Sequence, residues 1–202
     1  MKNTSADTFR RVGTGILFVT LSLLGACAST TGTVPGADGT AFTLSSTSFQ
    51  SGGALETRHA GNLSSNPNCV GSNVSPPLAW KNVPAGTKSL AMLVYDQEGR
   101  SGLGVVHWVA YGISPTLAGF AENEISQPSP KYVGGKSTLN LGNYMGPCPP
   151  PNTGRHHYVY TVIATDLEPA QLPAGLTMQE LLGRLNGHAK GSSSIVGRFG
   201  RP

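Results

Sequence analysis

The chain has 202 residues, a formal net charge of +4, 12% charged residues, 27 glycines and 15 prolines. This length suits a single domain, and an apolar content of 38% is too high for a disordered chain. The Gly- and Pro-rich composition favours a turn-rich β protein, and no basic cluster points to a nucleic-acid partner.

The first 26 residues have the organisation of a bacterial export signal. Three basic residues precede an apolar run at residues 16–24, which is far shorter than the ~20 residues of a membrane span. The letters LGAC then place Cys27 at the cleavage point of a lipoprotein signal. We therefore predict that residues 1–26 are removed and that Cys27 is lipidated. An ordinary secretory signal with a cysteine near its end is the alternative.

Residues 27–39 are rich in Ser, Thr and Gly, and we predict that they form a flexible tether to a folded domain of residues 40–202. Loss of residues 1–26 would remove three basic residues and one acidic residue, which leaves a net charge of +2. Ala28 stands where an Asp would retain a lipoprotein in the inner membrane. We therefore expect a lipid anchor in the outer membrane, with the domain facing the periplasm.

The folded part has the patterns of a mainly β protein. The runs LAMLVY and VVHWVAYGI are continuously apolar, as expected for strands buried on both faces. The alternation of strands and helices that marks a doubly wound parallel sheet is missing. Five segments are predicted as strands: residues 42–44, 78–80, 90–95, 105–113 and 158–165.

One helix is predicted near the C-terminus. Thr177 and Glu180 form a capping box, and Gly187 ends the apolar repeat that follows. The fold class is therefore an antiparallel β-sandwich-like domain with one or two peripheral helices. The core-facing stripe of the predicted helix consists of Met178, Leu181, Leu182 and Leu185.

Strand alternation predicts which histidines point together. In the strand that follows the Pro-rich loop, His156 and Tyr158 should share one face, and His157 should lie on the other. In the strand of residues 105–113, His107 should share a face with Val109 and Tyr111, opposite Trp108.

Four motifs resemble one known family in both order and spacing. They are NVSPPLAW (residues 73–80), LAMLVYDQEGR (90–100), VVHW (105–108) and GNYMGPCPPPNTGRHHY (142–158). These resemble the phosphatidylethanolamine-binding proteins, in particular their bacterial branch of Raf-kinase-inhibitor-like proteins, and the resemblance covers residues 40–202. It implies the β-sandwich-like fold of that family and a small pocket for phosphorylated or other anionic ligands.

The resemblance also implies which residues line the pocket. This chain departs from the family at DQEGR, which replaces DPDAP and loses both prolines, and at His157, which replaces an arginine and so removes a fixed positive charge. The implied ligand-binding residues are Asp96, Glu98, His107, Tyr144, Gly146, Pro147, Pro149, His156 and Tyr158.

Two cysteines besides Cys27 lie in Pro-rich loops. An exported protein meets an oxidising compartment, so Cys69 and Cys148 are candidates for a disulfide. In the resembled family both loops border the pocket. Two free, half-buried thiols are the alternative, because the sequence does not give the Cα separation.

Three chemistries fit the implied site residues. An anion site would use the N–H groups of His107 and His156 and the phenol of Tyr158, with Asp96 orienting a histidine or receiving a ligand ammonium. Two histidines and a carboxylate also suit a metal, but the HExxH helix motif is missing. The sequence contains no GxSxG motif, so a serine hydrolase is not favoured. A nucleotide-binding phosphate loop is also excluded, because Pro130 stands where that motif requires glycine.

We therefore expect a non-enzymatic envelope lipoprotein that needs no cofactor and no metal. Its expected partners are a small phosphorylated or anionic ligand and, through the lipid anchor, a membrane. An inhibitor of a protease or kinase, acting through the same surface, is the alternative function, and a metal-dependent hydrolase is the third.

Overall fold

The computed structural model of the chain describes residues 40–202. The predicted signal, tether and lipidated Cys27 lie outside these residues. Within residues 40–202 the protein is mainly β, with nine strands in two sheets. The strands are β1 (Thr43–Ser45), β2 (Gly53–Ala54), β3 (Leu78–Lys81), β4 (Ser89–Asp96), β5 (Val105–Ile113), β6 (Gly119–Phe120), β7 (Val133–Gly134), β8 (Arg155–Thr165) and β9 (Ala189–Gly200).

The two sheets differ in size. The small sheet has the order β1-β3-β6 and the large sheet the order β2-β9-β8-β4-β5-β7. Neighbouring strands are antiparallel throughout, except that β2 runs parallel to β9. The predicted antiparallel, mainly β fold with peripheral helices is confirmed. The helical segments are α1 (Gly99–Gly102), a single turn with left-handed backbone at Arg100 and Ser101, α2 (Met178–Leu185) and the 3₁₀ turns Thr57–His59, Glu124–Ser126 and Pro169–Gln171.

The large sheet is buried on both faces, which explains the continuously apolar sequences of β4 and β5. One face packs on the small sheet around Trp80, Trp108 and Phe120, whose rings meet edge to face. The other face is covered by α2. Alternate residues of β4 serve the two cores, so that Met92 faces the small sheet and Leu93 faces the helix.

Helix α2 begins at the predicted capping box. The side chain of Thr177 accepts from the Glu180 N–H, and the Glu180 carboxylate accepts from the Thr177 N–H. Leu181 and Leu185 are buried against the large sheet, which contributes about 1.5–3 kcal/mol for each side chain. Leu182 was predicted in the same stripe but is 42% exposed. Among residues 40–202, every helix is too short or too polar to span a bilayer.

Sequence patterns missed four strands, β2, β6, β7 and β9, of which β9 is the longest. Its sequence, AKGSSSIVGRFG, is rich in Ser and Gly, which have low strand propensity. The strand forms because β8 pairs with it from Arg155 to Thr165, and this tertiary contact overrides local preference. The pairing holds β8 in the centre of the sheet, where its N-terminal end reaches the site described below.

A β-bulge changes the direction of His107. Val94 of β4 pairs with Trp108, whereas the next residue, Tyr95, pairs with Val106, so that His107 is the extra residue on β5. The His107 ring therefore meets Tyr158, in the core between the sheets, with ring centroids 5.2 Å apart. The prediction that His107 shares a face with Val109 and Tyr111 is wrong, because simple alternation does not hold across a bulge.

Candidate functional site

A cavity of about 330 Å³ opens where β4 ends and where β5 and β8 begin. Its floor is formed by four polar side chains: Asp96, His107, His156 and Tyr158. Its walls come from three loops and are mainly apolar. They include Leu63, Cys69, Val105, Val106, Leu139, Met145, Gly146, Cys148, Pro149 and Pro150.

Asp96 is the last residue of β4 and caps the turn that follows. Its Oδ1 accepts hydrogen bonds from the backbone N–H groups of Glu98, at 2.9 Å, and Gly99, at 3.0 Å. Its Oδ2 lies 2.8 Å from Nδ1 of His156, and both side chains are buried. The carboxylate therefore accepts three hydrogen bonds, which fix its direction and compensate for its burial.

The other ring nitrogen of His156 also has a partner inside the protein. Nε2 lies 3.1 Å from Oγ1 of Thr153, and that hydroxyl donates to the Pro150 carbonyl oxygen at 2.8 Å. Asp96, His156 and Thr153 thus form a chain of hydrogen bonds that ends on the Pro-rich loop. The sequence led us to expect that a His156 N–H would donate to a ligand, but both nitrogens are engaged before any ligand binds.

His107 has one satisfied and one free nitrogen. Nδ1 lies 2.7 Å from the carbonyl oxygen of Met145, and since a carbonyl only accepts, Nδ1 carries the proton. Nε2 is buried and has no hydrogen-bond partner in the part of the chain that the structure describes. Burial lowers the pKa of His107, although the Met145 carbonyl and the charge of Asp96 oppose this shift. The ring is therefore neutral at pH 7, and Nε2 presents a lone pair, where the sequence had suggested an N–H donor.

Tyr158 supplies the second unpartnered group of the floor. Its hydroxyl is buried without a hydrogen bond, and burial raises the pKa of the phenol, with the charge of Asp96 adding to the effect. The phenol keeps its proton and can donate it. The Tyr158 ring meets the edge of His107 and lies parallel to His156 at 6.5 Å, so the three rings support one another.

The Pro-rich loop is held in place by Asn73, from the NVSPPLAW motif. The Asn73 side chain accepts from the Gly146 N–H at 2.8 Å and donates to the Tyr144 carbonyl oxygen at 3.2 Å. Gly146 is required because a Cβ there would lie 2.1 Å from the carbonyl oxygen of His59. Two separate motifs of the sequence thus meet to shape one wall of the cavity.

A disulfide closes the same wall. Cys69 and Cys148 are bonded, with Cα atoms 4.5 Å apart, so the pairing that the sequence left open is present. The bond joins the loop before β3 to the loop before β8. Both sulfur-bearing residues line the cavity.

Arg100 lies at the rim of the cavity, and sequence reasoning missed it. It is exposed and adopts a left-handed backbone, with φ of 53°, in the turn that replaces the family's DPDAP. Within residues 40–202 its guanidinium has no hydrogen bond or ion pair. The DQEGR segment did indicate a cation near the site, because Arg100 follows Asp96 by only four residues.

Three residues that the family pattern implied lie outside the cavity lining. Glu98 turns to the opposite face of β8, where its carboxylate accepts from Nδ1 of His157 at 2.8 Å. Tyr144 is fully buried in the core, and its hydroxyl donates to the His59 carbonyl oxygen. Pro147 only offers its carbonyl oxygen to the Gly61 N–H.

The remaining implied residues, namely Asp96, His107, Gly146, Pro149, His156 and Tyr158, do line the cavity. Within the described residues, no group of three or more His, Cys, Asp or Glu side chains is arranged to hold a metal ion.

The structure is a mainly β protein with a small cavity over a buried polar floor, and comparison with known proteins identifies its family. A family model described as "Phosphatidylethanolamine-binding protein" matches residues 45–200. Since the match covers most of the chain, this protein belongs to the phosphatidylethanolamine-binding protein family, as its motifs predicted.

Relatives from bacteria and archaea support this assignment. LppC of Mycobacterium tuberculosis, which is named as a lipoprotein, is 38% identical over 134 residues, 65% of this chain and 62% of LppC. The chain therefore spans less than two thirds of the length of LppC. A protein of Methanothermobacter thermautotrophicus, named UPF0098, is 34% identical over 144 residues, 70% of this chain and 92% of the relative.

A solved structure agrees with the fold. The crystal structure of Escherichia coli YbcL, described as a new member of the mammalian PEBP family, superimposes with a TM-score of 0.70 at 28% sequence identity. The superposition covers 80% of this chain and 99% of YbcL.

Proposed function

We propose that this protein is a non-enzymatic binding protein of the cell envelope, which takes up a small phosphorylated or otherwise anionic ligand in the cavity described above. One observation carries the proposal: Nε2 of His107 and the hydroxyl of Tyr158, two buried polar atoms of cavity-lining residues, have no hydrogen-bond partner among residues 40–202. Buried polar atoms without a partner are rare in folded proteins, because each one costs about 1–3 kcal/mol. A ligand that donates a hydrogen bond to Nε2 and accepts one from the Tyr158 hydroxyl would satisfy both.

The charges around the cavity favour an anion. Asp96 is matched by three hydrogen bonds, whereas the guanidinium of Arg100 at the rim is unmatched. Apolar walls keep water away from the floor, which strengthens a hydrogen bond from Tyr158 to a ligand oxygen. A phosphate or carboxylate group would thus accept a hydrogen bond from Tyr158 at the floor and lie near the positive charge of Arg100 at the rim.

The same contacts favour binding over catalysis. Asp96, His156 and Thr153 have the order of an acid, a base and a hydroxyl in nucleophilic catalysis. However, the Thr153 hydroxyl donates to the Pro150 carbonyl, and Thr153 does not line the cavity. A bound ligand would therefore not meet that hydroxyl, and the chain of hydrogen bonds acts as a support for the cavity wall.

A calorimetric titration tests the binding function. Phosphate and O-phosphoethanolamine should bind to the wild-type domain, and Arg100→Gln should weaken both by about tenfold, as expected for loss of a charge-assisted contact. Arg184→Gln on the exposed side of α2 is the matched control. Binding that is equal in the two variants, or no binding by the wild type, would contradict the proposal.

Attachment to the envelope rests on the signal-like N-terminus and on the relationship to LppC, a protein named as a lipoprotein. We expect Cys27→Ser to release the protein from the outer-membrane fraction or to leave it unprocessed at 202 residues. Mass spectrometry of the mature N-terminus gives the readout. A mature N-terminus at another residue, without acyl mass, would exclude the lipid anchor.

A second candidate function is binding of a partner protein by the same surface, as an inhibitor would do. It is favoured by apolar side chains near the mouth of the cavity, since Leu103 is 76% exposed and Leu139 is 50% exposed. A partner that uses this surface should compete with the small ligand.

A further inference from the structure

The floor of the cavity contains a hydrogen-bond acceptor, Nε2 of His107, as well as the donor Tyr158. The proton of His107 is held on Nδ1 by the Met145 carbonyl oxygen at 2.7 Å, so Nε2 can only accept a hydrogen bond while the ring is neutral. This nitrogen is buried and unpartnered, in a side chain that is 7% exposed. A ligand that brings only bare, negatively charged oxygen atoms would place a lone pair against a lone pair.

The surroundings of His107 favour its neutral ring, because burial lowers its pKa. Asp96 of β4 favours the charged ring, but its carboxylate is already matched by His156 and two backbone N–H groups. His156 of β8 opposes a charge on His107, as does burial, and together they lower the pKa of His107. Tyr158 of β8 stays protonated, and Arg100 stays at the rim.

Resting on the anion-binding function proposed above, we infer that the cavity selects the singly protonated form of its acidic ligand. The ligand's own P–OH donates to Nε2 of His107, while the Tyr158 hydroxyl donates to an adjacent unprotonated oxygen. One proton thus remains between His107 and the ligand. The favoured class is a phosphate or phosphonate monoester in its monoanionic form.

Two anions of the same shape separate this pattern from simple charge attraction. Methyl phosphate at pH 5.5 is mainly a monoanion with one P–OH group, because the second pKa of a phosphate monoester lies near ~6. Methyl sulfate is also a monoanion, but it has no proton to donate. Equal charge and similar size leave the hydrogen bond to His107 as the difference between the two.

The experiment is a calorimetric titration of the oxidised wild-type domain with methyl phosphate, methyl phosphonate and methyl sulfate between pH 5.5 and 8.5. We expect methyl sulfate to bind at least about tenfold more weakly than methyl phosphate at pH 5.5, since it leaves Nε2 unpaired. Above the ligand's second pKa, affinity should fall about tenfold per pH unit. The phosphonate has a higher second pKa, so its decline should begin at a higher pH.

A pair of variants sharpens the same test. His107→Gln replaces the lone pair with an amide that can donate, so methyl sulfate should gain affinity and the preference for methyl phosphate should shrink. His157→Gln, on the exposed face of β8, should keep the wild-type preference. Circular dichroism reports whether His107→Gln folds, and the wild-type ligand series does not depend on that variant.

Three other results would contradict the inference. If methyl sulfate binds as tightly as methyl phosphate, or if phosphate and phosphonate weaken at the same pH, the selection of a protonated ligand is wrong while anion binding stands. If O-phosphoethanolamine binds but methyl phosphate does not, the donor to His107 is an ammonium group and the inference fails. If none of the four ligands binds at any pH, the proposed function fails together with it.

Discussion

Two neighbouring histidines on β8 each lie 2.8 Å from a carboxylate, but in opposite surroundings. In the inner pair, the side chains of His156 and Asp96 are 7% and 4% exposed. In the outer pair, those of His157 and Glu98 are 46% and 35% exposed. Strand alternation places the pairs on opposite faces, and the turn after β4 sends one carboxylate to each.

The two pairs should therefore contribute differently to the stability of the fold. An exposed pair of ions contributes about 0–1 kcal/mol, because water and salt screen the attraction. A buried pair is different, because removal of one partner leaves the other without compensation in a place that water does not reach.

The largest effect should come from the inner carboxylate. Asp96→Ala removes the partner of His156 and the acceptor for two backbone N–H groups, so we expect a loss of about 3–5 kcal/mol in the free energy of unfolding. Glu98→Ala, the matched change in the outer pair, should lose about 0–1 kcal/mol. Urea denaturation at pH 7 measures both. Similar losses in the two variants would mean that burial does not distinguish the pairs.

The second effect concerns ligand affinity and the two histidines. His156→Ala leaves the Asp96 carboxylate without its partner beside the bound anion, so phosphate binding should weaken by about tenfold or more. His157→Ala should change affinity little, because its ring points away from the cavity toward Glu98. Titration calorimetry at pH 6.5 compares the two, with circular dichroism as the check of folding. Equal losses of affinity would refute the assignment of faces.

The smallest effect is a pH dependence of the outer pair. Slight burial would raise the pKa of Glu98, but hydrogen bonds from the side chain and backbone of His157 outweigh it, and the net pKa is lowered. The folded state therefore binds this proton less readily than the unfolded state. The contribution of Glu98 to stability, below about 1 kcal/mol, should be present above pH ~4.3 and lost as pH falls through the lowered folded value.

This last prediction is checked with Glu98→Gln. At pH 6 the variant should be slightly less stable than the wild type, and near pH 3 the two should unfold at the same urea concentration. A difference that persists at low pH would show that Glu98 stabilises the fold by contacts other than its charge.

The sequence predicted the strands that have apolar sequences because both of their faces are buried. It also predicted the helix α2, because its capping box is formed by residues close in sequence. It also predicted that His156 and Tyr158 would face one cavity and that His157 would face away, because two residues of spacing in a regular strand fix the face. These features depend on near neighbours in the chain.

Features that depend on distant contacts were not accessible. The direction of His107 is set by a bulge in the pairing of β4 with β5, and β9 exists because β8 pairs with it. Family position placed Glu98 and Tyr144 in the pocket, but Glu98 lies on the outer face against His157, and Tyr144 is buried in the aromatic core. The position of Arg100 at the cavity rim, without a side-chain partner among residues 40–202, is likewise visible only in three dimensions.

The disulfide has a consequence for how the protein must be prepared. It closes a loop of 79 residues, which includes β3, β4 and β5, and it forms part of the cavity wall. A chain produced in a reducing cytosol would lack this closure and would offer a more open wall to any ligand. For a chain exported as proposed, this part of the cavity wall would be completed only after the chain leaves the reducing cytosol.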